Sequence, residues 1–334
     1  MTDAYDPKVT PWAVKGQALP QDSPEAQLTF LLRFAILAPS TYNTQPWKFR
    51  AAPPAIHVFA DPDRRMISGD ADLRELFTSV GCALENLLVA AEHFGFAHQT
   101  VLFPNPEDQW HVAAVDVHPN GQRSPHRAHL FDCIPARHTN HRRYNGRPIP
   151  EDVLDALRRV VVEPEVRLQM TADPVLRRRA DELLVEADAH QFADPTFRRE
   201  LLQWVTQGAF GSAWLLGKIG RLAARTLHLS AHAVAVESEP LMNASVFGVI
   251  ATETSTRAAQ VVAGQVYERI HLQATYLGLS MQPVNQLLQV PHVKEAFIRG
   301  FDLSPLSPQL AFRLGYAEPE AEHTPRRPLE ACLK

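Results

Sequence analysis

The sequence predicts an internally duplicated α+β fold, and two observations support this prediction. Residues 81–95 (GCALENLLVAAEHFG) and 264–278 (GQVYERIHLQATYLG) align without a gap, with glycines at both ends and with Glu85 opposite Glu268. The two halves also share one order of segments: helix, strand, long helix, glycine, strand. Amphipathic helices that end in glycine can share letters by chance, so the repeated order carries more weight than the identities.

The periodicity of apolar residues places the elements. Spacings of three and four residues predict helices over 24–37, 74–94, 151–162, 174–190 and 257–277. Alternation and β-branched runs predict strands over 46–50, 55–60, 110–117, 246–252 and 309–315. The tripeptide Ala-Asp-Pro follows a strand-like run in each half, at 60–62 and 172–174, which indicates equivalent positions. We therefore assign residues 1–135 to the first copy and 136–334 to the second.

Residues 191–240 have no counterpart in the first half and are interpreted as a helical, lid-like insertion in the second copy. The stretch from Trp214 to Leu229 is apolar, with basic residues at Lys218, Arg221 and Arg225. A basic amphipathic helix can lie on a membrane surface, but capping a pocket or packing in the core is the favoured interpretation.

Composition excludes several classes of protein. Of 334 residues 45% are hydrophobic and 21% are charged, and the net charge is −4, which is typical of a globular protein and gives no basic surface for nucleic acid. The first residues show no signal peptide, and no apolar run is long enough to cross a bilayer, so we expect a soluble cytoplasmic protein. Cys82, Cys133 and Cys332 form no C-x-x-C pair, which argues against disulfides and thiolate metal sites.

Four segments carry groups suited to a planar, phosphate-bearing ligand. APSTYNTQPWKF at 38–49 follows an apolar helix and offers hydroxyls and an amide from a compact loop. ARHTNHRRY at 136–144 places arginine, histidine and threonine together, which suits a phosphate and a polar ring edge. GLSMQPVNQ at 278–286 closes the long helix, and RLGYAEPEAEHTPRRPLE at 313–330 brings a second pair of arginines.

Together these segments resemble the nitroreductase-like superfamily, and their order and the duplication are most similar to its Acg family of FMN-binding oxidoreductases. The resemblance covers nearly the whole chain and is weakest over 191–240. It implies a nitroreductase-like fold, a bound FMN, and these cofactor contacts: Pro39, Ser40, Thr41 and Asn43 along the flavin; Arg137, His138, Thr139 and His141 at phosphate, ribityl chain and pyrimidine edge; Pro283, Val284 and Asn285 near flavin N5; and Arg326 or Arg327 at the phosphate. His141 departs from the family, which usually has Arg or Lys there.

The resemblance implies hydride transfer from NADH or NADPH, through FMN, to a nitroaromatic, quinone or flavin acceptor. The chain has no G-x-G-x-x-G motif, so the nicotinamide would be a visiting substrate, and no side-chain acid or base is nominated. A flavin-sequestering stress protein with a closed lid is the alternative. A specialised enzyme of the same fold, such as a dehalogenase or a flavin-destroying enzyme, also stays open.

Several of these residues have simpler interpretations. Gln45 and Trp47 are as well suited to packing at the start of a strand as to contacting a ligand. Glu85 and Glu268 occupy matched positions, which favours a structural hydrogen bond over catalysis. Histidine pairs of the form H-x-x-H occur, as at 126–129 and 138–141, but no third metal ligand has a recognisable spacing.

The motifs are divided between the copies, and this predicts one flavin per chain. The first copy keeps the loop at 39–43 but has no R-x-[ST] in residues 8–21. The second copy keeps the R-x-[ST] run at 137–141 but lacks P-S-x-x-N in residues 160–169. One pocket thus retains both walls and the other retains neither, so a monomer should act as a pseudo-dimer.

Overall fold

The computed structural model describes residues 6–119, 121, 127–207, 241–320 and 322–334. In the first half, an antiparallel sheet in the order β1-β2-β4-β3 is formed by β1 (Trp47–Ala52), β2 (Ala55–Ala60), β3 (Phe96–Leu102) and β4 (His111–Pro119). In the second half, the order β5-β6-β8-β7 is formed by β5 (Val166–Thr171), β6 (Val246–Thr252), β7 (Ser280–Pro283) and β8 (Ser307–Gly315). The two sheets have the same order, which confirms the predicted duplicated α+β fold.

Eight helices are found in the described part of the chain: α1 (Pro24–Ala35), α2 (Arg74–His93), α3 (Glu151–Arg158), α4 (Pro174–Ala193), α5 (Pro195–Thr206), α6 (Arg257–Tyr276), α7 (Gln286–Gln289) and α8 (Pro291–Gly300). The five predicted helices are present, with small differences at their ends. Capping explains where some begin, since the Ser23 hydroxyl accepts a hydrogen bond from Ala26 N and the Thr256 hydroxyl accepts one from Ala259 N.

The strands to which the sequence analysis assigned no residue range, β3, β5 and β7, share one property. All three lie at an edge of their sheet. An edge strand is solvated on one side and carries polar residues at many positions, as the alternately buried and exposed residues of β3 show. Their apolar signal is therefore weaker than that of the central strands.

Helices α2 and α6 cross in the middle of the molecule with their backbones in contact. A Cβ atom on Gly81 would lie 2.1 Å from the Val261 carbonyl oxygen, and one on Gly264 would lie 2.0 Å from the Thr78 carbonyl oxygen. These are the two glycines that the internal alignment matches. Glycine at the crossing thus lets the two copies approach to backbone contact, which no other residue allows.

The connections between the first two strands differ between the copies. Residues 53–54 join β1 to β2, whereas α4, α5 and residues 207–245 lie between β5 and β6. The stretch without a counterpart therefore begins upstream of residue 191, with α4. The two Ala-Asp-Pro tripeptides are not equivalent, because 60–62 follows the second strand of its sheet and 172–174 follows the first. The Trp214–Leu229 segment lies outside the described residues.

The C-terminus of the second copy crosses to the first. Leu333 forms a parallel bridge with Phe49 of β1, and Lys334 N donates to the Phe49 carbonyl oxygen at 2.8 Å. This crossing carries residues 322–327 past the loop that follows α1. In the parts of the chain that the structure describes, no helix combines the length and apolar character needed to cross a membrane.

We expect Gly81→Ala to lower the free energy of unfolding by about 2 kcal/mol or more, because the new methyl group must displace the α6 backbone. This loss would occur although alanine is the better helix former. Gly300→Ala is the matched control, since the nearest heavy atom to its new Cβ is Arg179 Cγ at 4.0 Å. Urea unfolding measures both, and a Gly81→Ala variant as stable as Gly300→Ala would contradict the crossing.

Candidate functional site

A cavity of about 750 Å³ lies where the two copies meet. Its walls come from the loop after α1, one face of α2, the segment before α3, the loop after β7 and the C-terminal crossing segment. The predicted site residues that line it are Pro39, Ser40, Thr41, Asn43, Arg137, His138, Thr139, His141, Pro283, Asn285 and Arg326. Val284 and Arg327 do not line it.

The loop at 39–43 is held in a defined conformation. The Ser40 hydroxyl accepts from Gln45 N at 2.9 Å, and Thr41 N donates to the Ser79 hydroxyl of α2 at 3.2 Å. Tyr42 and Asn43 have left-handed backbones, with φ of 52° and 53°. Such angles are costly for residues other than glycine and persist where surrounding contacts impose them. The loop is therefore a fixed wall of the cavity.

Asn43 joins this loop to the second copy. Its Nδ2 donates to the Pro325 carbonyl oxygen at 2.9 Å, and its Oδ1 accepts from Arg326 Nη1 at 2.8 Å. The order of the two amide atoms follows from these partners, because a guanidinium can only donate. The asparagine of the first copy thus orients an arginine of the second.

Two arginines converge at one end of the cavity. Nη2 of Arg137 and Nη2 of Arg326 each donate to the Leu37 carbonyl oxygen, both at 3.3 Å, and the two residues are 2% and 3% exposed. Burial and the positive charge of Arg137 lower the pKa of Arg326 to about 9. The guanidinium stays charged at neutral pH, so two like charges lie close together in a buried site, which is costly without an anion.

One carboxylate, Glu268 of α6, faces the pair. Its Oε1 lies 3.3 Å from Arg137 Nε, yet burial raises the pKa of Glu268 to about 8 against the opposing effect of the two arginines. Arg137 Nε, Glu268 Oε2 and the Tyr267 hydroxyl have no hydrogen-bond partner among the described residues. Two guanidiniums are thus served by one carboxylate whose charge burial disfavours, and such a site favours a further anion.

Next to the arginines, three aromatic rings stack in a column. The ring centroids of Trp12 and His323 are 3.9 Å apart, and those of His323 and His138 are 4.0 Å apart. Burial, the nearby His323 and the two arginines lower the pKa of His138 to about 3. Burial and the same arginines lower the pKa of His323 to about 4. Both imidazoles are therefore neutral at physiological pH. His323 lies in the segment 313–330 that the sequence indicated, but neither it nor Trp12 was among the predicted contacts.

His141 takes part in a chain of hydrogen bonds that ends at a buried arginine. Arg313 Nε donates to Gln282 Oε1 at 2.7 Å, which fixes the orientation of the Gln282 amide. Gln282 Nε2 then donates to His141 Nδ1 at 2.8 Å. The Nδ1 atom must be unprotonated to accept this bond, so the geometry selects the neutral Nε2–H tautomer of His141.

Two predicted cofactor contacts lie outside the cavity. The Val284 side chain is in the hydrophobic core beneath β8, and its backbone N–H donates to the Ala311 carbonyl oxygen at 2.8 Å. Arg327 instead donates from Nη1 to the Gln45 carbonyl oxygen at 3.0 Å, and its backbone N–H donates to Gln45 Oε1 at 2.8 Å. Of the two adjacent arginines, it is Arg326 that lines the cavity. Gln45 and the fully buried Trp47 serve packing and loop structure.

One face of α2 supplies residues that the motifs did not indicate: Glu75, Thr78, Ser79 and Cys82. Their spacing of three, four and seven residues places them on one side of a helix. Tyr267 of α6 also lines the cavity. Helical spacing alone would have grouped these side chains, but it could not show which side of a helix buried on all sides faces a cavity.

No group of three or more possible metal ligands occurs among the described residues.

Because the fold is duplicated, the surroundings of Glu268 can be compared with those of Glu85, its equivalent in the first copy. Leu37 is the second residue after α1 and Val160 is the second residue after α3, and the Val160 carbonyl oxygen accepts from Arg269 Nη1 at 3.0 Å. Glu85, the partner of Glu268 in the repeat, accepts from Arg269 Nε at 2.7 Å and from Arg127 Nε at 2.8 Å. Two cations thus meet a buried carboxylate here as well.

Further carboxylates neutralise this second arginine pair. The oxygens of Glu163 lie 2.9 and 3.1 Å from Arg269 Nη1, and Glu92 Oε1 accepts from Arg127 Nη1 at 2.9 Å. Glu163 is the fifth residue after α3, as Ser40 is the fifth after α1. The attraction of the two arginines lowers the pKa of Glu85 to about 2 although burial opposes it. At the position equivalent to the arginine pair of the cavity, the protein's own carboxylates therefore neutralise the two arginines.

Comparison with known proteins agrees with this architecture. No family model matches the chain. A "Putative NAD(P)H nitroreductase" of Mycobacterium tuberculosis is 28% identical over 321 residues, which span 91% of this chain and 90% of the relative. The "Putative NAD(P)H nitroreductase acg" of the same species is 26% identical over 311 residues, spanning 90% of this chain and 92% of the relative. The similarity to Acg predicted from the motifs is confirmed.

A solved structure shows the same fold. It is described as a "putative nitroreductase" from Anabaena variabilis, and it superposes with a TM-score of 0.52 at 11% identity. The match covers 90% of this chain and 90% of that one. The predicted nitroreductase-like fold is therefore confirmed over nearly the whole length.

Proposed function

We propose, on the premise of a nitroreductase-like fold and of relatives that include Acg, that this chain is an FMN-dependent oxidoreductase. It would take hydride from NADH or NADPH and pass it to a nitroaromatic, quinone or flavin acceptor. The observation that carries the proposal is the buried pair Arg137 and Arg326, whose two positive charges lie at one end of a cavity of about 750 Å³. The names of the relatives, NAD(P)H nitroreductases, support the reaction class.

The residues present fit this cofactor. A phosphate dianion would balance the positive charge of the two guanidiniums that the single carboxylate of Glu268, 3.3 Å from Arg137 Nε, does not match. Ser40, Thr41 and Asn43 provide short polar groups along the adjoining wall. When bound, FMN supplies the hydride-transfer chemistry, and the protein contributes position and electrostatics. We therefore nominate no side-chain acid or base.

His141 would determine the charge that the protein places at the polar pyrimidine edge of the flavin ring. Its neutral tautomer offers an Nε2–H donor without a fixed positive charge, unlike the Arg or Lys usual in the family. The cation of Arg313 lies one side chain further away, beyond Gln282. The site would therefore stabilise a reduced, anionic ring less than a directly placed cation would.

Mixing the purified FMN-loaded protein with NADPH, and separately with NADH, under nitrogen tests the enzyme against an FMN-storing protein. We expect the visible flavin band to bleach and to recover when a quinone is added. Persistent colour with both nucleotides would favour storage.

Storage of FMN is the second candidate because α5 packs against the cavity wall of the first copy, as a closed lid would. Phe197 of α5 packs edge-on against Tyr42 of that wall, and Glu200 accepts a hydrogen bond from Ser68 N at 2.8 Å.

We expect Arg137→Ala to weaken FMN binding at least about tenfold, because the phosphate loses a buried charged donor. Fluorescence titration of the stripped protein with FMN measures the dissociation constant. Arg127→Ala is the matched control: Arg127 pairs with Glu85 and Glu92 at the closed counterpart, so this variant should lose stability but keep its affinity for FMN. Unchanged affinity in Arg137→Ala would refute the anchoring role.

We expect one FMN per chain and no need for a partner subunit. The counterpart of the arginine site already holds three carboxylates, Glu85, Glu92 and Glu163, against Arg127 and Arg269, so a second phosphate would meet net negative charge. Denaturing the saturated protein and measuring released FMN against chain concentration gives the ratio. A ratio near two, or binding that appears only in a homodimer, would contradict the pseudo-dimer.

A further inference from the structure

Glu75 is a buried carboxylate in the cavity wall that the motifs leave unassigned. It lies in the first turn of α2 and is 1% exposed. Cys82, on the same face of the helix, donates to the Gly264 carbonyl oxygen of α6 at 3.3 Å, one turn before Glu268, which lies 3.3 Å from Arg137 Nε. Seven residues of helix separate Glu75 from Cys82, a rise of about 10 Å. Glu75 therefore lies toward the end of the cavity away from the arginine pair.

The two oxygens of this carboxylate differ in their surroundings. Oε1 accepts from Arg74 Nη2 at 2.8 Å and from Gln289 Nε2 at 2.8 Å. Oε2 has no hydrogen-bond partner among the described residues, although it is shielded from solvent. A carboxylate oxygen can only accept, and leaving it unpaired in a buried place is costly. A donor from a bound molecule would remove that cost.

The ion pair that Glu75 already forms with Arg74 favours a neutral donor over a second cation. Arg74, itself 1% exposed, already forms a buried ion pair with it. The oxygens of neighbouring Asp70 are engaged by the backbone N–H groups of Glu75 and Leu76, both at 2.8 Å. Lys294 lies 3.9 Å from Asp72. A neutral N–H group can satisfy Oε2 without the cost of burying a further ion.

We propose that Glu75 determines specificity by accepting a hydrogen bond from an N–H donor on a planar aromatic ligand. The ligand class is an aromatic ring with a primary carboxamide, as in a nicotinamide or in an aromatic acceptor. This inference rests on the proposed function, because the ring would bind beside FMN. The residue selects among ligands and takes no part in the hydride transfer.

Binding to the oxidised, FMN-loaded protein without a nicotinamide tests the inference. The probes are 4-nitrobenzamide and methyl 4-nitrobenzoate, which are similar in size, but only the amide has N–H donors. Flavin absorbance reports the dissociation constant of each probe. We expect the amide to bind about tenfold tighter, as for one hydrogen bond to a buried charged acceptor. Equal affinities, or tighter binding of the more apolar ester, would overturn the proposal.

Glu75→Gln gives a sharper version of the test. Arg74 and Gln289 both donate at the position of Oε1, so the new side chain must turn its carbonyl oxygen toward them. Its NH2 group then takes the place of Oε2 and presents a donor to the ligand. The preference for the amide should disappear or reverse in favour of the ester. A Glu75→Gln variant that keeps the wild-type ratio would refute the role.

Glu92→Gln is the matched control, since it makes the same change on the same helix outside the cavity. Glu92 accepts from Arg127 and His98, and its variant should keep the wild-type ratio of the two probes. A purified chain that holds no FMN would contradict the proposed function, whereas a chain that holds FMN and shows no amide preference would contradict this inference alone. If Glu75→Gln does not fold, the wild-type ratio decides.

Discussion

The close crossing of α2 and α6 is the constraint on which the cavity depends. Because Gly81 and Gly264 allow backbone contact, the Thr78 to Cys82 stretch of α2 lies against α6, so Tyr267 joins the same cavity wall and Glu268 lies behind it, 3.3 Å from Arg137 Nε. A wider separation would move the loop of the first copy away from the arginines of the second. The hydrogen bond between Asn43 and Arg326 at 2.8 Å shows how little tolerance remains. Packing at two glycines thus sets the geometry of charged groups several residues away.

Duplication produced two equivalent places, and the distribution of charge makes them different. Each copy supplies a central glutamate at the same position of its long helix, Glu85 or Glu268, and each glutamate faces two arginines. Around Glu268 the positive charges exceed the negative ones, and burial raises its pKa to about 8 although the arginines oppose that shift. Around Glu85 the added carboxylates of Glu92 and Glu163 reverse the balance. The same scaffold therefore offers an anion site on one side and a permanent ionic cluster on the other.

The sequence could reveal the duplication and most of the site because both depend on local patterns. Matched glycines predicted the equivalent long helices, and the loop at 39–43 and the run at 137–141 were visible as motifs. Glu163 and Glu75 could not be found in this way, since their partners, Arg269 and Gln289, are distant in the chain. Nor could the adjacent Arg326 and Arg327 be told apart, because the path of the C-terminal segment decides which one faces the cavity.

The two ends of the cavity have opposite chemical character, and this fixes the direction in which a ligand can lie. Arg137 and Arg326 are donors with unbalanced positive charge, so they attract a phosphate. Glu75, at the other end, presents an acceptor whose charge Arg74 already balances, so it attracts a neutral donor. A molecule turned end for end would bring its phosphate to a carboxylate oxygen and leave the two buried guanidiniums without an anion, and both changes are costly in a buried site. Because Glu75 comes from the first copy and Arg137 from the second, this polarity arises only when the two copies pack together.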